Sequence, residues 1–156
     1  MKMSTNFTLS EMISSQTATR LGIDNTPNDD QIENLKELCE KVLQPIRDKF
    51  GPVRVTSGLR VPELNTAIGG SSSSQHCKGE AADINMCSKG CSGINADVFN
   101  YIKDNLVFDQ LIWEFGTDEN PSWVHVSYTT TETQRGQILV AYKDDNNRTK
   151  YKAYGR

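Results

Sequence analysis

His76 and Asp83 stand seven residues apart in Ser74-Gln75-His76-Cys77-Lys78-Gly79-Glu80-Ala81-Ala82-Asp83, and that spacing limits the fold more than any other stretch. An imidazole and a carboxylate are donor types that suit zinc. A continuous helix would part them by roughly 10.5 Å along its axis, at about 1.5 Å per residue. Two donors on one zinc, each bonded at roughly 2.0–2.2 Å, lie within about 4 Å of each other. To share an ion they need a chain that folds back between them, and Gly79 is the residue that permits the turn. Small Ala81 and Ala82 then allow close packing where Asp83 leads into Ile84.

The chain has two histidines in all. The second, His125, sits in Trp123-Val124-His125-Val126-Ser127-Tyr128, a strand-like run of β-branched and aromatic residues. Either histidine alone would pass for an ordinary polar residue. Together with Asp83 they make three protein ligands and leave a fourth position for water, the way catalytic zinc sites are built.

Ser-x-His-x-x-Gly-x-Ala-x-Asp at 74–83, followed by Trp-x-His at 123–125, resembles peptidase family M15, the zinc D-Ala-D-Ala carboxypeptidases. Relatives in that family include phage L-alanyl-D-glutamate endolysins, D-Ala-D-Ala dipeptidases and the hedgehog signalling domain. Thr56-Ser57-Gly58-Leu59-Arg60, Leu64-Asn65 and Phe7-Thr8-Leu9-Ser10-Glu11 extend the likeness, which runs from about residue 6 to about 130. The resemblance implies a zinc-dependent peptidase with a hedgehog/DD-peptidase-like fold, acting on peptidoglycan stem peptides. It implies either the terminal D-Ala-D-Ala bond or an internal L-Ala-D-Glu bond as the target. A phage-type cell-wall lytic enzyme, acting on the wall or carried on the virion, fits best. The alternative from another class is a non-catalytic zinc-containing module that binds cell wall or protein.

At 156 residues the chain reads as one domain able to bury about two-thirds of its unfolded surface. No run of 18 apolar residues is present, so no membrane insertion is expected. The N-terminus lacks a basic-then-apolar leader, and synthesis in the cytoplasm without a signal peptide is the expectation. A net charge of −3 without a basic stripe argues against nucleic acid as partner. A monomer is expected. Basic residues collect only at the C-terminus (Lys143, Arg148, Lys150, Lys152, Arg156) and read as a solvated hairpin or a patch for an anionic wall polymer. Of four cysteines, Cys87 and Cys91 are close enough for a disulfide, while Cys39 and Cys77 read as packing.

Along the chain, residues 1–6 read as a loose tail and 7–23 as a short helix capped by Ser10, with loop. From 29 to 50, Ile32, Leu35, Leu38, Cys39, Val42, Leu43 and Ile46 recur at helical spacing, with Pro45 bending or restarting the helix. A strand at 53–57, a helix at 62–67, a strand at 81–86 and a helix at 97–105 follow. Strands at 108–115 and 123–128 pair across a loop at 116–122. A hairpin over 136–154 turns at 144–147. This order predicts an α+β domain with a largely antiparallel sheet, its core over about 6–130.

Arg60 follows a strand and Gly58, so its guanidinium can reach a cleft, and in the resembling peptidases that Arg binds substrate. The general base is where this sequence departs from the family. Several members carry an acid three positions before the last ligand, and here that position is Ser122. Glu114 and Glu119 are the nearby carboxylates. Glu114 ends the apolar run Leu111-Ile112-Trp113, where a charge is unexpected, and is favoured over Glu119 in its polar loop. One register of the paired strands puts Glu114 opposite His125, and a one-residue slip turns it away. Ser74 and Ser127 are candidates to support ligands or substrate, and Trp123 to line the cleft.

Overall fold

The apolar stripe from Ile32 to Ile46 becomes one continuous rod against the core. The computed structural model describes residues 1–86 and 93–155. Two short helices lie upstream, α1 (Leu9–Ile13) and α2 (Gln16–Leu21), and the rod itself is built from α3 (Asp29–Leu38), a π-helical turn (Cys39–Leu43) and α4 (Gln44–Phe50). Leu35, Leu38, Cys39, Val42, Leu43 and Ile46 are all fully buried. Each large aliphatic among them contributes about 1.5–3 kcal/mol relative to exposure. Pro45 stands where the rod restarts as an α-helix, in the first turn of α4. Its ring would clash with the Lys41 carbonyl in an α-helix. The backbone instead widens, Gln44 N–H donating to Cys39 O.

Two N-terminal expectations are corrected. Thr8, not Ser10, caps α1: its Oγ accepts from Glu11 N–H at 3.3 Å, and the Glu11 carboxylate accepts from Thr8 N–H at 3.2 Å. Residues 1–6 are not a loose tail. Met3 is 2% exposed, and the Gln44 amide oxygen accepts from Ser4 Oγ and Asn6 N–H. Met1 and Met3 are too few to set up a period, and only Met3 is buried, Met1 being 74% exposed.

The sheet holds β1 (Val55–Ser57), β2 (Ala81–Ile84), β3 (Gln110–Glu114), β4 (Trp123–Ser127), β5 (Gln137–Lys143) and β6 (Thr149–Ala153). Their order is β1-β2-β4-β3-β5-β6, antiparallel throughout except for β3 beside β5. Helices α5 (Pro62–Ala67) and α6 (Asn95–Asn105) complete an α+β fold with a mostly antiparallel sheet. Alternation sends Ala82, Ile84, Leu111, Trp113, Val124 and Val126 into the core, with Val98, Phe99 and Ile102 of α6. Phe99 meets Trp113 edge to face at 5.1 Å between centroids.

The basic hairpin is only half solvated. β6 is exposed, but β5 pairs in parallel with β3, and Tyr154 closes on the Phe99 ring at 4.8 Å. Among the described residues no helix is long and apolar enough to cross a membrane. Cys39 and Cys77 are free thiols, whereas Cys87, Cys91 and Arg156 lie outside the described residues.

Candidate metal centre

Two turns deliver His76 to the sheet. Ser74 caps a 3-10 turn (Gln75–Lys78), its Oγ accepting from His76 N–H at 3.2 Å. Gly79 ends that turn in the left-handed region at φ 76°, and a Cβ there would also stand 2.7 Å from Gln31 O on α3. The chain then reverses into β2, and Asp83 returns to the imidazole it left seven residues earlier. Gly58 serves from the other side. Its carbonyl accepts from His76 Nδ1–H at 2.7 Å, which leaves Nε2 facing the site, and a Cβ on Gly58 would run into the Met12 carbonyl.

Asp83 lies directly across from His125 in the β2–β4 ladder, so the two share a face. Asp83 Oδ1 is 3.1 Å from His125 Nδ1 and 3.4 Å from His76 Nε2. One donor atom from each of the three residues falls within 4.8 Å of the others. Burial works to raise the Asp83 carboxyl, but the two imidazoles beside it outweigh that and hold it well below the usual carboxylate range. His76 is 1% exposed, and its Nε2 has no hydrogen-bond partner. A buried imidazole nitrogen left open toward an ionised carboxylate and a second imidazole is an arrangement that a divalent cation completes. The residues fit a metal ion.

The cleft around them has a volume of about 700 Å³ and is lined by Arg60, Ser74, Glu114 and Trp123 as well as the three ligand candidates. Glu114 is not opposite His125. The register pairs Ile112 with His125 and Glu114 with Trp123. Two residues along one strand return to the same face, so Glu114 still points to the cleft, diagonal to His125. It is 7% exposed, and burial pushes its carboxyl up to about 7. His125 and Arg60 pull it down and Asp83 adds to the rise, none of them as strongly as burial. Glu119 lies outside the cleft, exposed in the loop after β3.

Arg60 is held by its backbone. The Asn25 amide donates to Leu59 O and accepts from Val61 N–H, while Arg60 N–H donates to His76 O. Its buried Nε has no partner. Trp123 lines the cleft beside Phe115, ring centroids 5.4 Å apart. Ser127 supports the sheet instead of a ligand, its Oγ accepting from Gln110 N–H at 3.0 Å.

Two features escape sequence reasoning. Buried Asp109 takes Arg135 Nη2 at 2.7 Å and Nε at 3.1 Å, and also the Gln75 amide at 3.0 Å, tying the His76 turn to the segment entering β5. Its hydrogen bonds from Arg135 hold the Asp109 carboxyl below its ordinary value. The second feature is Tyr151 of β6, which also lines the cleft. The sequence signal was the alternation of Lys150 and Lys152 with Tyr151, which puts the ring on the face away from the lysines.

An α+β sheet bearing a two-histidine, one-aspartate cluster in a cleft with a buried carboxylate defines a metallopeptidase-like site. A family model described as peptidase M15 matches residues 5–127, most of the chain, and the protein belongs to that family, metallopeptidases of peptidoglycan-related type. No curated protein matches the sequence.

Proposed function

We propose that the protein is a zinc peptidase that hydrolyses the peptide stems of peptidoglycan, at the terminal D-Ala-D-Ala or the internal L-Ala-D-Glu bond, in the manner of a phage-type cell-wall lytic enzyme. One observation carries the reading. Glu114 is buried on the same sheet face as Asp83 and His125, with His76 closing the cluster from the facing turn.

His76, Asp83 and His125 would hold the ion. Bound there, zinc supplies a Lewis acid that polarises the scissile carbonyl and acidifies the attacking water. Glu114, buried on the cleft face, would take the proton from the attacking water and return it to the leaving amine. Arg60, whose buried Nε has no partner, would steady the carbonyl oxygen or a substrate carboxylate. Trp123 and Phe115 offer an apolar lip to the peptide, and Ser74 stands at the rim.

The test is turnover of purified peptidoglycan and of a synthetic stem pentapeptide ending in D-Ala-D-Ala, with and without chelator. The expected result is cleavage that stops on chelation and returns with zinc, and the new end group tells the two bonds apart. Turnover indifferent to chelator, or none from protein carrying a full equivalent of zinc, would overturn the proposal. Binding of the pentapeptide without cleavage would favour the non-catalytic module instead.

A further inference from the structure

The family match stops at residue 127, yet the sheet continues through β5 and β6 to Ala153. Those two strands would be an accessory edge if their cleft-side residues were indifferent to the site. The register says otherwise. Pairings across β6, β5, β3 and β4 align Tyr151, Ala141, Glu114 and Trp123 in one row on one face. The adjoining row on that face runs Ala153, Leu139, Ile112, His125 and Asp83.

Ala141 is the informative member of the first row. It is 1% exposed and carries only a methyl group, so it leaves a notch between two large side chains, Glu114 and Tyr151. Strands lie about 4.8 Å apart, which puts the Tyr151 backbone roughly 10 Å from that of Glu114. A tyrosine ring leaning over an alanine crosses much of that gap. Tyr151 is nevertheless 54% exposed, a large aromatic left open on the wall of a polar cleft. Its phenol is raised by burial first and then by the negative charges of Glu114 and Asp83, so the ring shares the electrostatic field of the site and stays a protonated donor at neutral pH.

We infer that the C-terminal hairpin is a working wall of the cleft, in which Tyr151 positions an extended peptide beyond Glu114 by laying its ring on the chain and donating its hydroxyl to a backbone carbonyl. This rests on the reading of the cleft as a peptidase site. Lys150 and Lys152, one residue either side, point the other way, and Lys152 lies over the Tyr142 ring at 5.3 Å. The hairpin therefore presents the Tyr151 ring to the cleft and Lys150 and Lys152 to the opposite face, while Lys143 of β5 lies on the cleft side, its Nζ 5.2 Å over the Phe115 ring. A peptide is a fitting occupant because its amide planes stack on a ring and its carbonyls accept.

Tyr151→Ala, Tyr151→Phe and Lys152→Ala, each loaded with zinc, separate positioning from mere support of the sheet. With the stem pentapeptide, Tyr151→Ala is expected to raise KM about ten-fold and Tyr151→Phe about three-fold, the sizes expected for losing ring contact plus a hydrogen bond or the hydrogen bond alone. Turnover number should change less than KM, and zinc content, melting temperature and the Lys152→Ala kinetics should stay at wild type. An unchanged KM in Tyr151→Ala overturns the inference while leaving the peptidase reading intact. So does a KM rise that Lys152→Ala shares and that tracks a fall in melting temperature. If the wild type cuts nothing, calorimetric binding of the same pentapeptide decides: about ten-fold weaker binding by Tyr151→Ala supports the role of Tyr151 without catalysis, and no binding by the wild type overturns both.

Discussion

On the side of β2, β4 and β3 that faces the helices stand Ala82, Ile84, Val124, Val126, Leu111 and Trp113; on the other side of the same strands stand Asp83, His125, Ile112, Glu114 and Trp123. The two sets alternate residue by residue. The helix side joins an apolar core and tolerates no unpaired charge, since burying one costs far more than a hydrophobic contact returns. The cleft side carries two carboxylates and an imidazole nearly as deeply, because each burial is compensated in its own way. Asp83 sits between two imidazoles, and Glu114 meets its burial by holding its proton toward neutral pH. One ladder thus supplies rigidity to one layer and chemistry to the other, and a ladder is what holds side chains to the tolerance a site needs.

Substitutions that carry one face's chemistry onto the other break the comparison hardest. Val126→Asp places an unpaired carboxylate in the fully buried layer beside the cleft strand. It should abolish the cooperative unfolding transition, costing several kcal/mol. His125→Ala, one residue away, should leave the metal-free protein folded with a similar melting temperature while removing stoichiometric zinc binding. Metal analysis and thermal melts on the pair check both outcomes, and a zinc-replete His125→Ala would break the assignment of the site.

Glu114→Gln sharpens the cleft side alone. It should keep zinc and fold and slow peptide cleavage by roughly 10²–10⁴-fold, as expected for loss of a general base, with Glu119→Gln at wild-type rate. The same variant has a pH signature in the metal-free protein. Because burial raises the Glu114 carboxyl from 4.5 to about 7, its contribution to stability is present in full below 4.5 and is lost as pH rises through about 7. The wild type should therefore fall behind Glu114→Gln between pH 5 and 8 by on the order of 3 kcal/mol or less, read from denaturant melts. A pH-independent difference would mean that the carboxyl ionises freely.

Arg60→Ala should give the smallest change in the fold, because the Asn25 amide and the His76 carbonyl hold its backbone and not its guanidinium. Peptide cleavage should drop by about ten-fold or more at unchanged zinc content and melting temperature. Full activity would remove Arg60 from the cleft's work.

Much of this was legible before folding. The stripe from Ile32 to Ile46 announces the rod, because burial on one face leaves a period of three to four residues. His76, Gly79 and Asp83 announce a reversal, because no straight element brings those two donors together. Other features carried no such signal. Met1 and Met3 are too few to set up a period, and the burial of Met3 depends on the wall that α1 and the rod present to it. Pro45 reads as a bend or a restart, but the π-helical turn through which the helix restarts is a backbone relaxation that leaves no mark in composition.

By itself the sequence determined which residues alternate and which donors exist: two imidazoles, Asp83, a carboxylate at the end of an apolar strand, and an arginine after Gly58. Alternation names the members of each face but leaves open which neighbour lies alongside and how far it has slid. The tertiary structure decided that Ile112 rather than Glu114 sits across from His125, with Glu114 still facing the cleft. It decided that β5 enters beside β3 in parallel and brings Tyr151 into the same row as Glu114. The physical reason is range: side-chain period is set between adjacent residues, whereas register and strand order are set by packing of the whole sheet against the rod and α6.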